Sequence, residues 1–222
     1  MSKHLVFDAY GTLLKVNAVI DGLTDADAIL SEKIQALWRS KQLEYTWLES
    51  LMGKYEGFNA VTNRALDYAF NYYEVENESL KTAILSIFDK PAVFEDAQTF
   101  LKELKDEELR TAILSNGETA KLRQSVSIAG IDQEIDVILS ADQAQVFKPS
   151  PKVYQLACDH FSCHQEDILF FSSNPWDITG ATIFGFKTVW INRRRLPFDE
   201  LGVKPTFEFR SFEDFTLQDL VS

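Results

Sequence analysis

Cysteine is nearly missing from this chain. Two thiols, Cys158 and Cys163, in 222 residues cannot build a disulfide framework. The N-terminus also lacks the basic stretch and apolar segment of a secretory leader, so a reducing cytoplasm is the expected location. Long hydrophobic runs are missing as well. Candidates such as Ile168 to Phe171 are strand-sized, far below the roughly 20 residues of a spanning helix, so no membrane association is expected. Basic charge is in deficit: 22 Lys and Arg against 34 Asp and Glu leave a net −12. Such a field repels phosphate backbones, so nucleic acid is not an expected partner. The run Arg193-Arg194-Arg195 is too short and too poor in aromatic neighbours to reverse that conclusion, and reads as a solvated loop.

Histidine is scarce too. His4, His160 and His164 all stand away from the active end of any predicted strand, which argues against a Ser-His-Asp hydrolase. Cys158, His160, Cys163 and His164 cluster, but Cys158 and His160 point apart on a helix and no second ligand pair follows at zinc spacing. No metal is expected there. Neither a phosphate-binding Gly-rich loop nor a dinucleotide fingerprint occurs, and there is no internal repeat or low-complexity linker.

What the chain does have is apolar and aromatic surface, 45% and 13% of its residues, enough to bury a large core. Short apolar runs at His4 to Phe7, Thr111 to Leu114, Val137 to Leu139, Ile168 to Phe171 and Thr188 to Ile191 predict strands. The last four alternate with helical patterns. One stripe is Ala97, Phe100, Leu101 and Leu104; Ser150-Pro151 supplies an N-cap and a first-turn proline; Gly130 follows a helix beginning near Thr119. This order predicts an α/β fold with a doubly wound parallel sheet.

Residues 16–91 read differently. Leu30, Ile34, Leu37 and Trp38, then Val61, Ala65 and Tyr68, then Leu80, Ile84 and Ile87 repeat at helical spacing. The expected organisation is a Rossmann-like core of residues 1–15 and 92–222 with an inserted all-helical cap of residues 16–91. An insert placed directly after the first strand lies above the carboxyl edge of the sheet, as a lid or as an extra packed layer.

Polar groups end each of the four strands that lead to that edge. Asp8 follows the first strand in Asp8-Ala9-Tyr10-Gly11-Thr12, a position for a carboxylate nucleophile. Ser115-Asn116-Gly117 ends the second, with hydroxyl, amide and backbone N–H groups suited to a small anion. Lys148-Pro149 lies between the third strand and a helix start. Ser172-Ser173-Asn174-Pro175-Trp176-Asp177 ends the fourth and brings a second carboxylate.

In order and kind these residues resemble the four motifs of the haloacid dehalogenase-like hydrolases, and within them the L-2-haloacid dehalogenases. Leu37-Trp38-Arg39 with Lys41-Gln42-Leu43-Glu44-Tyr45-Thr46-Trp47-Leu48 in the insert, and Trp190-Ile191-Asn192-Arg193 near the end, extend the likeness over nearly the whole chain. Phosphatases of this superfamily carry Asp-x-Asp where Tyr10 stands here, and an extra magnesium-binding acid where Ser172 or Ser173 stands. The resemblance therefore implies a cofactor-free hydrolysis of (S)-2-haloalkanoic acids to (R)-2-hydroxy acids through an ester on Asp8. A halide is a weak base and needs neither metal nor general acid to leave. Two alternatives stay open: a magnesium-dependent phosphatase with degenerate motifs, and a non-catalytic binding protein of the same fold.

The resemblance also implies roles. Arg39 and Asn116 would meet the leaving halide. Thr12, Ser115 and loop N–H groups would hold the substrate carboxylate. Lys148 would bridge Asp8 and the substrate anion. Asp177, oriented by Ser172 and Asn174, would either take the proton of the hydrolytic water or fix Lys148. Tyr10, Leu43, Phe58 and Trp176 would line the apolar side, with Tyr154 in the active region. The partners are a halogenated carboxylic acid and water. Similar enzymes are often homodimers, and the aromatic insert would suit such an interface. Pro175 departs from the pattern and restricts Asn174 to extended geometry.

Overall fold

The apolar runs form strands that are buried on both faces. In the computed structural model, which describes residues 4–15, 25–86, 91–107, 109–216 and 218, β1 (His4–Phe7) lies inside a six-stranded sheet. On one side stand β2 (Arg110–Ser115) and β3 (Val137–Ser140). On the other stand β4 (Ile168–Ser172), β5 (Lys187–Ile191) and β6 (Phe207–Phe209). All pairings are parallel. Leu5, Val6, Phe7, Ile113, Leu114, Phe170 and Phe171 are fully buried, as a sheet covered on both faces requires. The edge strand β6 escapes the sequence reading: a three-residue Phe-Glu-Phe segment offers no run long enough to distinguish from a loop.

Four helices follow the predicted alternation: α4 (Glu95–Asp106), α5 (Thr119–Ile128), α6 (Pro151–Phe161) and α7 (Pro175–Phe184), numbered after the three of the insert. Ala97, Phe100, Leu101 and Leu104 form the buried stripe of α4. Phe100 stacks there on Phe212 and meets Phe171 and Phe215, so a C-terminal segment closes that face of the sheet. Ser150 occupies the N-cap of α6, yet its hydroxyl makes no cap bond. The Val153 N–H instead finds the Ser150 carbonyl at 3.0 Å.

The insert contains α1 (Asp25–Leu51), α2 (Phe58–Tyr72) and α3 (Glu78–Leu85). The predicted stretches 16–24 and 87–90, with Ile87, lie outside the described residues. Ile34, Trp38, Ala65, Leu66, Ala69, Phe70, Leu80 and Ile84 form a hydrophobic cluster of their own, and Trp38 Nε1 donates to the Thr62 carbonyl at 2.9 Å. Tyr68 is not part of that face. The buried face of α2 is centred on Thr62, Ala65 and Ala69, and at 100° per residue Tyr68 falls a quarter-turn or more away. It stands exposed beneath Lys41.

The chain winds outward from β1 to β2 and β3, then returns to the other side of β1 for β4. The carboxyl ends of β1 and β4 meet at this reversal, where open α/β sheets place their ligands. Among the described residues no helix is long and apolar enough to cross a membrane.

Candidate active site

Asp8 is the first residue beyond β1, and its N–H donates to the Phe171 carbonyl of β4 at 2.9 Å. The strand pairing therefore sets the direction of its carboxylate. Oδ2 accepts from Thr12 Oγ1 at 2.9 Å, Asn174 Nδ2 at 2.8 Å and Ser172 Oγ at 3.5 Å. Oδ1 accepts from Lys148 Nζ at 3.0 Å. Asp8 is 5% exposed and Lys148 is fully buried.

Lys148 spends all its protons on the protein: on Asp8, on Asp177 Oδ2 at 2.6 Å and on the Leu114 carbonyl at 2.9 Å. An ammonium has three donors, so none is left for a substrate anion. The second partner of this lysine is Asp177, which corrects the expected bridge from Asp8 to substrate and is the contact expected of Asp177 if it fixes Lys148. Burial alone would lower the Lys148 pKa, but the charges of Asp177 and Asp8 outweigh it and raise the value.

Asp177 is also fully buried. Burial and the charge of Asp8 push it up and Lys148 pulls it back, leaving a pKa of about 6. Its oxygens are held by Lys148 and Ser172 (3.2 Å) on Oδ2 and by the Tyr154 hydroxyl (2.8 Å) on Oδ1. Burial and the neighbouring Asp177 charge raise the Tyr154 pKa, keeping it a donor. The expectation that Asn174 orients Asp177 is corrected here. Its amide goes to Asp8, with an extended backbone ahead of Pro175. Gly180 permits the Tyr154 contact, because a Cβ there would lie 2.6 Å from the tyrosine oxygen.

A small cavity of about 20 Å³ opens beside Asp8, lined by Tyr10, Arg39, Leu43, Phe58, Ser115, Asn116, Lys148, Asn174 and Trp176. Ten of the residues singled out from sequence, Asp8 included, share this lining. The other four, Thr12, Tyr154, Ser172 and Asp177, form a layer behind it. Thr12 and Tyr154 therefore lie outside the cavity lining, where the expected substrate contacts would need them. The Thr12 hydroxyl is committed to Asp8 and accepts from the Ser173 N–H at 2.9 Å.

The front layer has a polar and an apolar side. Tyr10 and Phe58 stack with planes 7° apart, and Trp176 meets Trp47 edge-on. Gly117 makes room for Tyr10, whose ring would be 2.7 Å from a Cβ. Asn116 Oδ1 accepts from the Lys148 N–H at 2.7 Å, so its NH₂ is the end it can offer to an anion. Arg39 comes from α1 and donates to Gln42, which donates to Thr62 at 2.6 Å. It makes no ion pair among the described residues. Burial lowers its pKa and the Asp8 charge opposes that, and a guanidinium remains charged throughout.

The donor set does not suit a divalent metal. Lys148 Nζ sits between the two carboxylates, and among the described residues no group of three His, Cys, Asp or Glu could hold an ion. That includes the Cys158 to His164 cluster, which borders an open hollow of about 450 Å³ at the far end of α6.

Contacts between the insert and the sheet edge had no sequence signal. Tyr55 donates to Asp142 at 2.7 Å, and Asn59 donates through N and Nδ2 to Glu118 at 3.0 and 2.7 Å. Their partners are 59 to 87 positions away along the chain, beyond the reach of any local pattern.

A parallel α/β sheet with a buried aspartate at its reversal point, a lysine against it and helices closing over both defines a hydrolase. The chain belongs to the haloacid dehalogenase-like hydrolases, whose family profile matches residues 2–185. It is 40% identical over 210 residues to the (S)-2-haloacid dehalogenase of Pseudomonas sp. (strain YL), covering 94% of this chain and 90% of that protein. It is 39% identical over 204 residues to haloacetate dehalogenase H-2 of Moraxella sp. (strain B), covering 91% of each. The L-2-haloacid dehalogenase from Xanthobacter autotrophicus with chloropropionic acid covalently bound superposes with a TM-score of 0.86. It is 33% identical, over 100% of this chain and 98% of that one.

Proposed function

We propose that this chain is an (S)-2-haloacid dehalogenase, hydrolysing short (S)-2-haloalkanoic acids to (R)-2-hydroxy acids, with Asp8 as nucleophile. The asymmetric coordination of Asp8 carries the reading. Oδ2 accepts from Thr12, Asn174 and Ser172, whereas among the described residues Oδ1 accepts from Lys148 alone and keeps lone pairs for attack. Oδ1 attacks C2 in line, and the halide leaves with the electron pair toward Arg39 and the Asn116 amide. The Ser115 hydroxyl and nearby loop N–H groups hold the substrate carboxylate. Oδ2 becomes the carbonyl oxygen of the ester. Water then attacks Cγ, its proton passes toward Asp177, the Cγ–Oδ1 bond breaks, Oδ1 takes up a proton as the hydroxy acid departs, and loss of the remaining proton to solvent returns Asp8 and Asp177 to carboxylates.

No cofactor enters this scheme. Tyr10 stands where a phosphatase of this superfamily carries its second aspartate, and burial raises its pKa further, so it is a poorer acid for a phosphate ester's leaving group, which disfavours the phosphatase alternative. The division into a core of 1–15 and 92–222 and a cap of 16–91 belongs to the proposal, and Arg39, Leu43 and Phe58 are the cap's contribution to the site. Cytoplasmic location and homodimeric assembly also belong to it. The free Cys158 and Cys163 support the first, and exposed Leu51, Met52 and Tyr72 on the insert support the second. A cavity of about 20 Å³ holds little more than one water, so a haloacid needs its lining side chains to rearrange.

The decisive experiment is halide release from each enantiomer of 2-chloropropionate, and from chloroacetate, in EDTA, beside hydrolysis of an aryl phosphate with Mg²⁺. Release from the L form only, unaffected by EDTA, is expected. Magnesium-dependent phosphate hydrolysis without halide release would overturn the reading, and silence with every substrate would favour a binding protein.

The pH profile tests the back layer. Asp177 must be ionised to accept a proton or to hold Lys148, so kcat should fall as pH drops through about 6. The Tyr154 hydrogen bond stabilises the ionised form. Tyr154→Phe should therefore move this acid limb upward by up to about one unit, since a hydrogen bond to a charged group is worth about 1.5 kcal/mol. A limb that stays put or moves down would remove Asp177 from that role.

A further inference from the structure

Arg193 follows β5 and lies beyond the 2–185 span that the family profile matches. The sequence places it both in the Trp190-Ile191-Asn192-Arg193 block that extends the family likeness and in a basic run expected to be a solvated loop. Arg194 and Arg195 are indeed exposed, but the Arg193 side chain is 19% exposed and paired with Asp96. Nε and Nη2 grip Asp96 at 3.2 and 3.0 Å. The guanidinium also lies 4.0 Å from the Phe94 ring centroid, so its position is held by charge and by stacking.

The rest of its donors reach two loops of the site. Nη1 donates to Ser173 Oγ at 3.0 Å and Nη2 to the Thr12 carbonyl at 3.1 Å. Thr12 and Asn174, the neighbour of Ser173, supply the two short hydrogen bonds to Asp8 Oδ2, at 2.9 and 2.8 Å. The loops also touch each other directly through the Ser173 N–H and Thr12 Oγ1. Arg193 itself does not line the cavity.

We propose that Arg193 is a positioning residue for the second half of the reaction: it holds the two loops at the spacing that aims their donors at Asp8 Oδ2. This rests on the dehalogenase reading above. While Oδ1 attacks carbon, negative charge leaves the carboxylate, and loosened donors do not impede that step. During hydrolysis the water oxygen bonds to Cγ and negative charge gathers on Oδ2. Donors preset at 2.7–3.1 Å from that atom then stabilise the transition state. Removing the clamp slows breakdown of the ester and leaves its formation nearly unchanged.

Kinetics separates the two steps, because kcat/KM for halide release reports events only up to ester formation and kcat reports both. Arg193→Gln, Arg193→Lys and Ser173→Ala should be assayed with L-2-chloropropionate by rapid quench, alongside intact-protein mass measurement. Arg193→Gln should lower kcat by about tenfold or more, lower KM in parallel, and keep kcat/KM within about threefold. A halide burst near one per site should appear, with the 1-carboxyethyl ester on Asp8 visible in the mass spectrum. Arg193→Lys, which keeps the charge but not the fork, and Ser173→Ala, which removes one contact, should show the same pattern more weakly. If Arg193→Gln does not fold, these two carry the test. Parallel loss of kcat and kcat/KM without adduct, or unchanged kinetics in the folded variants, would overturn the proposal. A wild type that releases no halide would overturn the parent reading, and this one with it.

Discussion

Replacing Asp8 with Asn should abolish halide release, with kcat down by about 10⁴-fold or more, because a carboxamide is far too weak a nucleophile to displace halide from carbon. The fold should survive. The amide oxygen can take the place of Oδ2 and keep the donors from Thr12 and Asn174. Its NH₂ then faces Lys148 Nζ, which retains Asp177 and the Leu114 carbonyl. One donor facing another inside a buried cluster should cost about 1–3 kcal/mol. Halide assay and thermal melting of the same preparation check both parts. Activity within tenfold of wild type in a folded Asp8→Asn enzyme would show that another group attacks the substrate.

Lys148→Met should have the second large effect, on stability as well as turnover. It leaves Asp8 and Asp177 buried on either side of an uncharged side chain, and removing one partner of a buried charged cluster costs about 3–5 kcal/mol. For a chain of this size that is a fall in Tm of roughly 10 °C or more. The sign with pH follows from the direction of the carboxyl shifts. Lys148 opposes the rise of Asp177, which already titrates at about 6, so removing it raises that value further. A carboxyl group whose folded pKa exceeds its unfolded value contributes stability at low pH that is lost as pH rises through the folded pKa. The deficit against wild type should thus be small near pH 5 and grow toward pH 8. Melting curves across that range check it, and a pH-independent deficit would mean that lost packing rather than unpaired charge dominates.

The site was legible from sequence to an unusual depth because its groups sit at strand ends. A short apolar run followed by a polar residue is a local signal, and Asp8, Ser115, Asn116, Ser172 and Asp177 all follow such runs. Arg39, Leu43 and Phe58 came from the likeness of the insert to known enzymes, since helical spacing by itself gives no reason to turn them toward Asp8. The errors concerned partners. Lys148 bridges Asp8 to Asp177 rather than to a substrate anion, and Asn174 serves Asp8 while Tyr154 serves Asp177. Those assignments depend on distances between loops that are distant in sequence. Arg193 shows the same limit: the family likeness sets it apart from Arg194 and Arg195, but its contacts with Asp96 and Phe94, about a hundred positions earlier, have no local signal.

The sequence by itself determined the parallel α/β order, the helical insert and the identity of the polar groups at the carboxyl edge. All of these follow from local apolar periodicity and from what terminates each run. Only the tertiary structure decided which groups share a proton or a charge and which face the cavity. Hydrogen-bond direction inside a buried cluster is set by the relative placement of at least four chain segments at a resolution of tenths of an ångström, and no single segment encodes that placement.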